Sequence, residues 1–264
     1  MFEKARERYK DGEYKLLVAK MIDKYLYSKK TNKIVNTDFL NLTEKTIIKK
    51  ILEEEKIDNY LFYGVRENAD RNILIFFPEK FSKEMVEKNS NNILEIIRIE
   101  LPSEIKYEHR EFLSGIMKLG IRREKFGDIL VTDSGADIIC LKEVTSYLEN
   151  GLKDLTRFKK SNIFVESIEN IHKKELTFIE FTIIVSSIRL DNIVSELARC
   201  SRTKAKELIE QGYVLLNYIA EEKESRKLQV GDIITIRGKG KFIFDKLEGE
   251  TKAGRNILLI KKYS

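Results

Sequence analysis

The stretch SSIRLDNIVSELARCSRTKAKELIEQGYVLLN, residues 186–217, decides the fold of the C-terminal part of this chain. Apolar residues recur in it at helical spacing in two short segments that are separated by a turn. Ser201 stands where the second segment begins, as a helix N-cap residue does, and Gly212 follows where that segment ends, as is common after a helix C-terminus. The stretch therefore predicts two short amphipathic helices followed by an apolar strand.

The second predicted helix begins in a cluster of positive charge. Its four basic residues, with no acidic residue among them, are Arg199, Arg202, Lys204 and Lys206. Free backbone N–H groups at a helix N-terminus also favour anions, so a phosphate could be held there by charge and by backbone donors together. Asp191 is expected to cap the first helix. A solvated helix face is the alternative explanation of such a charge run.

The order of these parts resembles the S4 RNA-binding domain. The matching residues are Arg189-Leu190-Asp191, Ser201-Arg202, Gly212-Tyr213-Val214 and Asn217, then Gly231-Asp232 and the strand IITIRGKGKF. The resemblance implies contacts to structured RNA from Arg189, Arg199, Ser201, Arg202, Lys204, Lys206, Arg237, Lys239 and Lys241. S4 domains often have glycine after the strand-end asparagine, and Tyr218 stands there instead, which predicts a different or longer turn. The glycines beside Lys239 suit either close approach to a phosphate or a tight hairpin.

Net positive charge is concentrated in the C-terminal third. The whole chain has 49 Lys+Arg and 43 Asp+Glu; residues 186–264 hold 16 basic and 11 acidic residues, which leaves a balance of +1 for the rest. A basic domain on a near-neutral body indicates nucleic-acid binding. An anionic membrane surface would attract the same charge, but these basic residues lie on a compact α/β module and not on a long amphipathic helix.

Other features narrow the class of protein. The N-terminus MFEKARERYKDGEY has no apolar segment typical of a signal peptide, and apolar runs such as Ile73–Phe77 are too short to span a membrane. Cys140 and Cys200 are 60 residues apart, without a second pair that would form a disulfide framework or a zinc site. We therefore expect a cytoplasmic protein with no membrane span, no metal and no cofactor.

The pattern of apolar segments predicts an α+β protein with three domains, residues 1–80, 81–184 and 185–264. The first is an N-terminal α/β region with helices at 13–28 and after Thr43, and strands LFYGV and NILIFF. The second follows the order βαββαβ, which is typical of the ferredoxin-like fold and of the RNA-recognition motif (RRM). Its predicted elements are ILEIIRIEL, HREFLSGIMKLG, DILVT, ADIIC, KEVTSYLEN ended by Gly151, and ELTFIEFTIIV, with a weaker strand at 163–166. The third is the S4 domain.

A second basic segment lies in the middle domain. Its members, which could form another phosphate-contacting patch or a solvated loop, are His109, Arg110, Arg122, Arg123 and Lys125.

Three separated motifs resemble the YlmH family of bacterial S4-domain proteins. They are HREFLSGIMKLGIRREKFGDILV, VSSIRLD and IRGKGKF, and YGVRENADR matches more loosely. The resemblance implies an N-terminal domain, an RRM-like middle domain and a C-terminal S4 domain. It also implies binding to ribosomal RNA of the large subunit, in particular a subunit obstructed by peptidyl-tRNA, in ribosome-associated quality control. A link to cell-division proteins is a further implication.

A catalytic role is a competing interpretation, because S4 domains often accompany RNA-modifying domains. A pseudouridine synthase needs Asp in a Gly-Arg-Leu-Asp context, whereas Arg189-Leu190-Asp191 follows Ser187-Ile188 and only about 75 residues come after it. No GxGxxG or Walker A motif occurs, and His109 and His172 are 63 residues apart. The sequence therefore predicts a non-catalytic RNA-binding protein. The alternatives are a division-associated interaction protein with incidental RNA binding, and an S4-linked RNA-modifying enzyme similar to a pseudouridine synthase.

Overall fold

The computed structural model describes residues 1–172 and 177–263. The chain divides into two compact units, Met1–Lys174 and Glu175–Ser264. Both units combine helices with antiparallel sheets, which confirms the predicted α+β class. Within the described ranges no helix is both long enough and apolar enough to cross a membrane.

The first unit opens with helices that pack on a three-stranded sheet. Its first elements are α1 (Glu3–Arg8), α2 (Lys15–Thr31), β1 (Val35–Leu40), α3 (Leu42–Glu54), β2 (Tyr60–Tyr63), β3 (Asn72–Phe76) and α4 (Lys83–Lys88). The sheet has the order β1–β3–β2. Helix α3 begins at Asn41, whose side chain accepts the Glu44 N–H while Glu44 accepts the Asn41 N–H. This reciprocal capping box replaces the predicted cap at Thr43. Strand β1 was not predicted.

The middle of the chain forms the ferredoxin-like fold that was predicted. Its elements are β4 (Leu94–Glu100), α5 (His109–Lys118), β5 (Phe126–Thr132), β6 (Gly135–Leu141), α6 (Lys142–Asp154) and β7 (Asn162–Glu166). The strand order is β5–β6–β4–β7, and all neighbours are antiparallel. Helices α5 and α6 cover one face of this sheet, where Phe112, Ile138 and Leu148 are fully buried.

Two predictions about this region are wrong. The fourth strand is β7, the weaker candidate, whereas β8 (Phe178–Val185) pairs with the last strand of the second unit; residues 175 and 176 of the predicted strand lie outside the described residues. The second unit thus begins before the predicted boundary at 185, while the division at residue 80 stays a prediction.

Gly151 does not end α6, which continues to Asp154. A Cβ at Gly151 would lie 2.9 Å from Leu119 Cδ1, so the absence of a side chain there leaves room for Leu119 to pack on α6.

The second face of the ferredoxin-like sheet is covered by the N-terminal strands. The cluster between the two sheets contains Phe39, Ile73, Ile75, Leu94, Ile96, Ile139 and Leu141. Further along this face, Arg98 Nη2 donates to the Asn170 carbonyl at 2.6 Å, and Asp137 accepts the His172 N–H at 2.8 Å. In RNA-recognition motifs the corresponding face stacks bases on aromatic side chains. A face buried in this way is not available for that mode of binding.

The second unit contains the predicted helix pair. Its elements are β8, α7 (Leu190–Ala198), α8 (Arg202–Glu210), β9 (Val214–Leu216), β10 (Ile219–Ala220), β11 (Ile233–Ile236), β12 (Gly240–Glu250) and β13 (Asn256–Tyr263). The strands form one sheet in the order β10–β9–β11–β12–β13–β8. Both helices pack on it through fully buried residues that include Ile193, Ile209, Ile234 and Leu258.

The turn after β9 contradicts the expectation of a different or longer connection. It consists of Asn217 and Tyr218 alone, and both adopt left-handed conformations, with φ of 49° and 69°. This is the geometry of a two-residue hairpin turn, which Tyr218 adopts in place of the usual glycine. The Asn217 side chain accepts the Ile233 N–H at 2.9 Å and donates to Asp232 at 2.8 Å. Asn217 therefore joins β9 to β11.

Candidate nucleic-acid interface

Helix α8 begins and ends as its sequence predicts. The Ser201 hydroxyl accepts the Lys204 N–H at 3.2 Å, which satisfies one of the free donors of the first turn. At the other end, Gly212 has φ of 71° and donates to the Ile209 carbonyl, and Tyr213 donates to the Leu208 carbonyl. This pair of bonds is a Schellman motif, so both predictions about the helix ends are confirmed.

Helix α7 ends in the same motif, but with arginine where glycine is usual. Arg199 has φ of 52° and donates to the Glu196 carbonyl, while Cys200 donates to the Ser195 carbonyl. A left-handed conformation costs a residue with a side chain about 1–2 kcal/mol. The Arg199 side chain is exposed. A strained position that carries an exposed cation indicates a functional role for that cation.

Asp191 lies fully buried between two arginines of this turn. Arg189 donates Nε and Nη2 to the carboxylate at 3.1 Å each, and Arg202 donates Nε at 2.8 Å with Nη2 also at 2.8 Å. Burial by itself raises the pKa of Asp191, but the hydrogen bonds and charges of both arginines outweigh it, so the pKa lies below its usual value. The carboxylate fixes the two guanidinium groups next to the start of α8.

Asp191 is not the N-cap residue of α7, although its carboxylate accepts a free backbone N–H of the first turn, as predicted. Arg189 occupies the cap position, and Asp191 is the second residue of α7. Its carboxylate accepts the neighbouring Asn192 N–H at 3.0 Å and is otherwise engaged by the arginines. The same carboxylate also pairs with Arg202, eleven residues further along the chain, a contact that the local sequence did not predict.

Acidic residues pair with the basic run, which has no acid of its own: Glu207 from the next turn of α8 and Glu224 from another segment. Lys204 pairs with Glu207 at 2.7 Å, and Lys206 pairs with Glu224 at 3.5 Å. With Asp191, three acids face five basic side chains, which leaves an excess of two positive charges. We call these five the basic residues of the α7–α8 turn: Arg189, Arg199, Arg202, Lys204 and Lys206. Both lysine pairs are partly exposed and contribute little to stability, so the lysines can exchange a carboxylate for a phosphate.

Comparison with known proteins identifies both RNA-binding parts of the chain. A family model described as "Putative RNA-binding domain in YlmH" matches residues 88–172, and the S4 domain model matches residues 188–234. The "Ribosome-associated protein quality control protein P2" of Bacillus subtilis (strain 168) is 29% identical over 221 residues, 82% of each chain. The chain belongs to the YlmH family of S4-domain proteins. A solved structure, "Cell division protein ylmH from Streptococcus pneumoniae", is 18% identical and aligns with a TM-score of 0.48 over 61% of this chain and 96% of that one.

Neither family model that matches this YlmH-family chain describes a catalytic domain. Within residues 1–172 and 177–263, no group of three or more His, Cys, Asp and Glu side chains is placed to hold a metal ion. Burial raises the pKa of the Cys140 thiol to about 12, which makes it a packing residue. His172 Nδ1 lies 2.7 Å from Asp137, and this pair closes the sheet face described above.

The β11–β12 turn forms a tight hairpin, one of the two readings of its glycines. Ile236 pairs with Gly240, and Gly238 and Gly240 have φ of 76° and 118°. The Arg237 N–H donates to the Tyr213 carbonyl, just beyond the end of α8, whereas Arg202 begins that helix. Nine helical residues separate the two groups by about 13 Å. In this YlmH-family chain, Arg237, Lys239 and Lys241 are therefore not part of the α7–α8 turn.

The basic segment of the middle domain does not form one cationic surface. Three of its members pair with acids: Arg110 with Glu111 at 2.8 Å, Arg122 with Glu124 at 3.3 Å, and Lys125 with Asp38 and Glu143 at 2.7 Å. His109 is exposed at the start of α5. Arg123 is half-buried and interacts electrostatically with Arg71 and Asp128, and Asp128 also binds Arg66; the sequence analysis did not single out Arg66 or Arg71. Their segment, YGVRENADR, had been noted only for its resemblance to the YlmH family.

Proposed function

We propose that this protein is a non-catalytic, cytoplasmic RNA-binding factor of ribosome-associated quality control. Its ligand is structured ribosomal RNA of the large subunit, with peptidyl-tRNA as a second, adjoining ligand. The observation that carries the proposal is the pair of guanidinium groups that Asp191 holds at the start of α8. The name of the Bacillus subtilis relative and the two matching family models support the ribosomal setting.

The chemistry of the α7–α8 turn suits phosphate groups. Guanidinium groups present several N–H donors in a plane and bind phosphate through two parallel hydrogen bonds. Arg189 and Arg202 are 32% and 50% exposed, so their outward N–H groups can reach a ligand while Asp191 fixes their orientation. The remaining RNA contacts that we propose at this end of α8 come from Arg199, Ser201, Lys204 and Lys206.

A second row of contacts is proposed at the other end of α8, from Arg237, Lys239 and Lys241. Two rows about 13 Å apart would contact phosphates of a folded RNA segment and would read its shape. Free backbone phosphates of an unfolded strand have no fixed spacing of this kind. The proposed specificity is therefore for folded RNA.

The test is sedimentation of the full-length protein in ribosome gradients. We expect it to migrate with large subunits at low salt and to be released at high salt, because phosphate contacts are replaced by salt ions. Large subunits that carry peptidyl-tRNA should retain more protein than empty ones if tRNA is the adjoining ligand. Protein that remains at the top of the gradient at every salt concentration would contradict the proposal and would favour the division-associated alternative.

Salt titration gives a quantitative prediction for the same complex. If five phosphates are neutralised, log K for ribosomal RNA should fall with log salt at a slope of roughly −3.5 to −4.5. The five cations are Arg189, Arg199, Arg202, Lys204 and Lys206, and the proposed contacts from Arg237, Lys239 and Lys241 would make the slope steeper. Filter binding at four or more salt concentrations measures the slope. A slope near zero would mean that these cations do not face the RNA.

A further inference from the structure

Three arginines from two separate segments lie around Asp128, where the N-terminal strands pack on the ferredoxin-like fold. Arg66 and Arg71 precede β3, and Arg123 precedes β5. The buried carboxylate of Asp128 accepts Arg66 Nη2 at 2.9 Å and the Arg71 N–H at 3.1 Å. Arg123 lies close enough to Arg71 and Asp128 to interact electrostatically with both. We call Arg66, Arg71 and Arg123 the junction arginines.

The junction arginines make fewer hydrogen bonds than their guanidinium groups allow. Arg71 Nη2 donates to the Phe39 carbonyl at 3.2 Å, and Arg123 Nη1 donates to the carbonyls of Phe126 at 2.7 Å and Gly127 at 3.1 Å. Arg66 Nε and Arg71 Nε are buried and have no hydrogen-bond partner. A guanidinium group carries five N–H donors, and a buried donor without an acceptor is destabilising. An additional acceptor in this cluster would therefore be stabilised.

The electrostatic environment of the cluster disfavours further positive charge. Burial, followed by the charge of Arg71, lowers the pKa of Arg123 to about 10, although Asp128 acts in the opposite direction. Burial also lowers the pKa of Arg71. Burial and then the charge of Arg123 lower the pKa of His109, although Asp128 and Asp70 act in the opposite direction. An anion bound next to these groups would relieve all three effects.

Carboxylates other than Asp128 also act on the cluster, Glu44 and Glu124 on Arg71 and Asp70 on His109. Asp70 is exposed. Glu44 is part of the α3 capping box, where it accepts the Asn41 N–H at 2.7 Å. Glu124 lies 3.3 Å from Arg122. Of the four carboxylates only Asp128 is buried, and the three arginines around it are half-buried.

We propose that the junction arginines form a second anion site, which binds a phosphate group of RNA with His109 at its edge. The proposal deepens the RNA-binding function given above and assigns a contact to the first unit, in addition to those of the second. Several guanidinium groups around one oxyanion favour phosphate over a single carboxylate, because phosphate offers more acceptor oxygens. The phosphate of a free nucleotide has the same chemistry, and the experiment separates the two sources.

The experiment uses the full chain with Arg202→Gln and Lys204→Gln, so that binding at the S4 helices is weakened. A fluorescently labelled ten-nucleotide oligouridylate is titrated, and anisotropy gives the affinity. Arg123→Gln is expected to reduce the residual affinity about tenfold, whereas Arg122→Gln, the exposed neighbour paired with Glu124, should change it less than twofold. Arg66→Gln should reproduce the loss. Uridine triphosphate is titrated in parallel: binding of the nucleotide without binding of the oligomer would overturn the assignment to RNA.

A structural role of the junction arginines predicts a different outcome. Arg123→Gln would then lower the melting temperature and leave the affinity of the remaining folded protein unchanged, which would overturn the proposal. A second experiment does not depend on the folding of any junction variant. Protein with intact junction arginines is crosslinked to oligouridylate by ultraviolet light. Crosslinks within residues 64–72 or 107–128 support the site, and their absence contradicts it. Loss of ribosome binding in the gradient test, with these crosslinks retained, would instead disprove only the proposed ribosomal function.

Discussion

Replacing Arg202 and Lys204 by glutamate is expected to weaken binding to large-subunit ribosomal RNA by at least about a hundredfold. Each hydrogen bond to a charged group contributes about 1.5–3 kcal/mol, and 1.4 kcal/mol corresponds to a factor of ten. Two lost contacts therefore account for about two orders of magnitude, and the introduced negative charges repel phosphate in addition. Filter binding or gel shift with purified ribosomal RNA measures the change.

Two control variants separate RNA contact from loss of fold. Arg202→Glu places a second carboxylate beside buried Asp191, so circular dichroism and thermal melting must accompany the binding assay. The milder pair Arg202→Gln and Lys204→Gln avoids this repulsion and should still cost at least about tenfold, the value of one charged contact. Lys246→Glu with Lys252→Glu makes the same change of charge at exposed positions of the β12–β13 hairpin. This pair should alter the affinity less than about threefold, and unchanged affinity in the natively folded glutamate variant would refute the prediction.

Features set by neighbouring residues could be predicted from the sequence. The ends of α8 follow from Ser201 and Gly212, because capping hydrogen bonds join residues only three to five positions apart. The ferredoxin-like fold follows from the order of apolar segments, since strands and helices differ in the spacing of their buried residues. The β-strand of residues 178–185 was recognised, but its alternation does not reveal which sheet it joins. Hydrogen bonding to β13 settles that question.

Features set by distant residues could not be predicted. The acid-free run from Arg199 to Lys206 gave no sign of Glu224, which another segment brings to Lys206. The RRM-like topology gave no sign that the N-terminal strands cover the face on which bases usually stack. The junction arginines come from segments about fifty residues apart, and only the fold shows that they share Asp128. Long-range charge pairing, not local pattern, determines which cations remain available for RNA.

Asp191→Asn is expected to weaken RNA binding about tenfold, although it removes a negative charge from an anion-binding surface. Simple electrostatics predicts the opposite sign, because loss of a carboxylate makes the surface more positive. We expect weaker binding because Arg189 and Arg202 lose the partner that holds their guanidinium groups in place. A tenfold loss corresponds to about 1.4 kcal/mol, the value of one charged contact. Filter binding in the same salt for both proteins measures the sign and the size of the change.

Glu224→Gln provides the matched control for the sign of the change in RNA affinity that Asp191→Asn causes. It removes a carboxylate from the same cluster, but from the Lys206 pair, whose side chains are 42% and 34% exposed. This variant should bind RNA slightly more tightly, so opposite effects of the two substitutions distinguish positioning from net charge. Equal tightening in both variants would refute the role assigned to Asp191.

Stability and RNA chemistry test the same carboxylate independently. Loss of one partner of a buried ion pair lowers the free energy of unfolding by about 3–5 kcal/mol. Both arginines are partly exposed, so we expect Asp191→Ala to lower it by about 2 kcal/mol. Because the folded-state pKa of Asp191 is lowered, its contribution is present above about pH 4, near the unfolded value, and is lost as the pH falls through the folded value. The melting curves of the wild-type protein and of the Asp191→Ala variant should therefore converge in acid.

A carboxylate held by two arginines is a poor nucleophile. Mass-spectrometric mapping of ribosomal RNA should therefore find no modified nucleotide that depends on Asp191, and finding one would make the protein an enzyme.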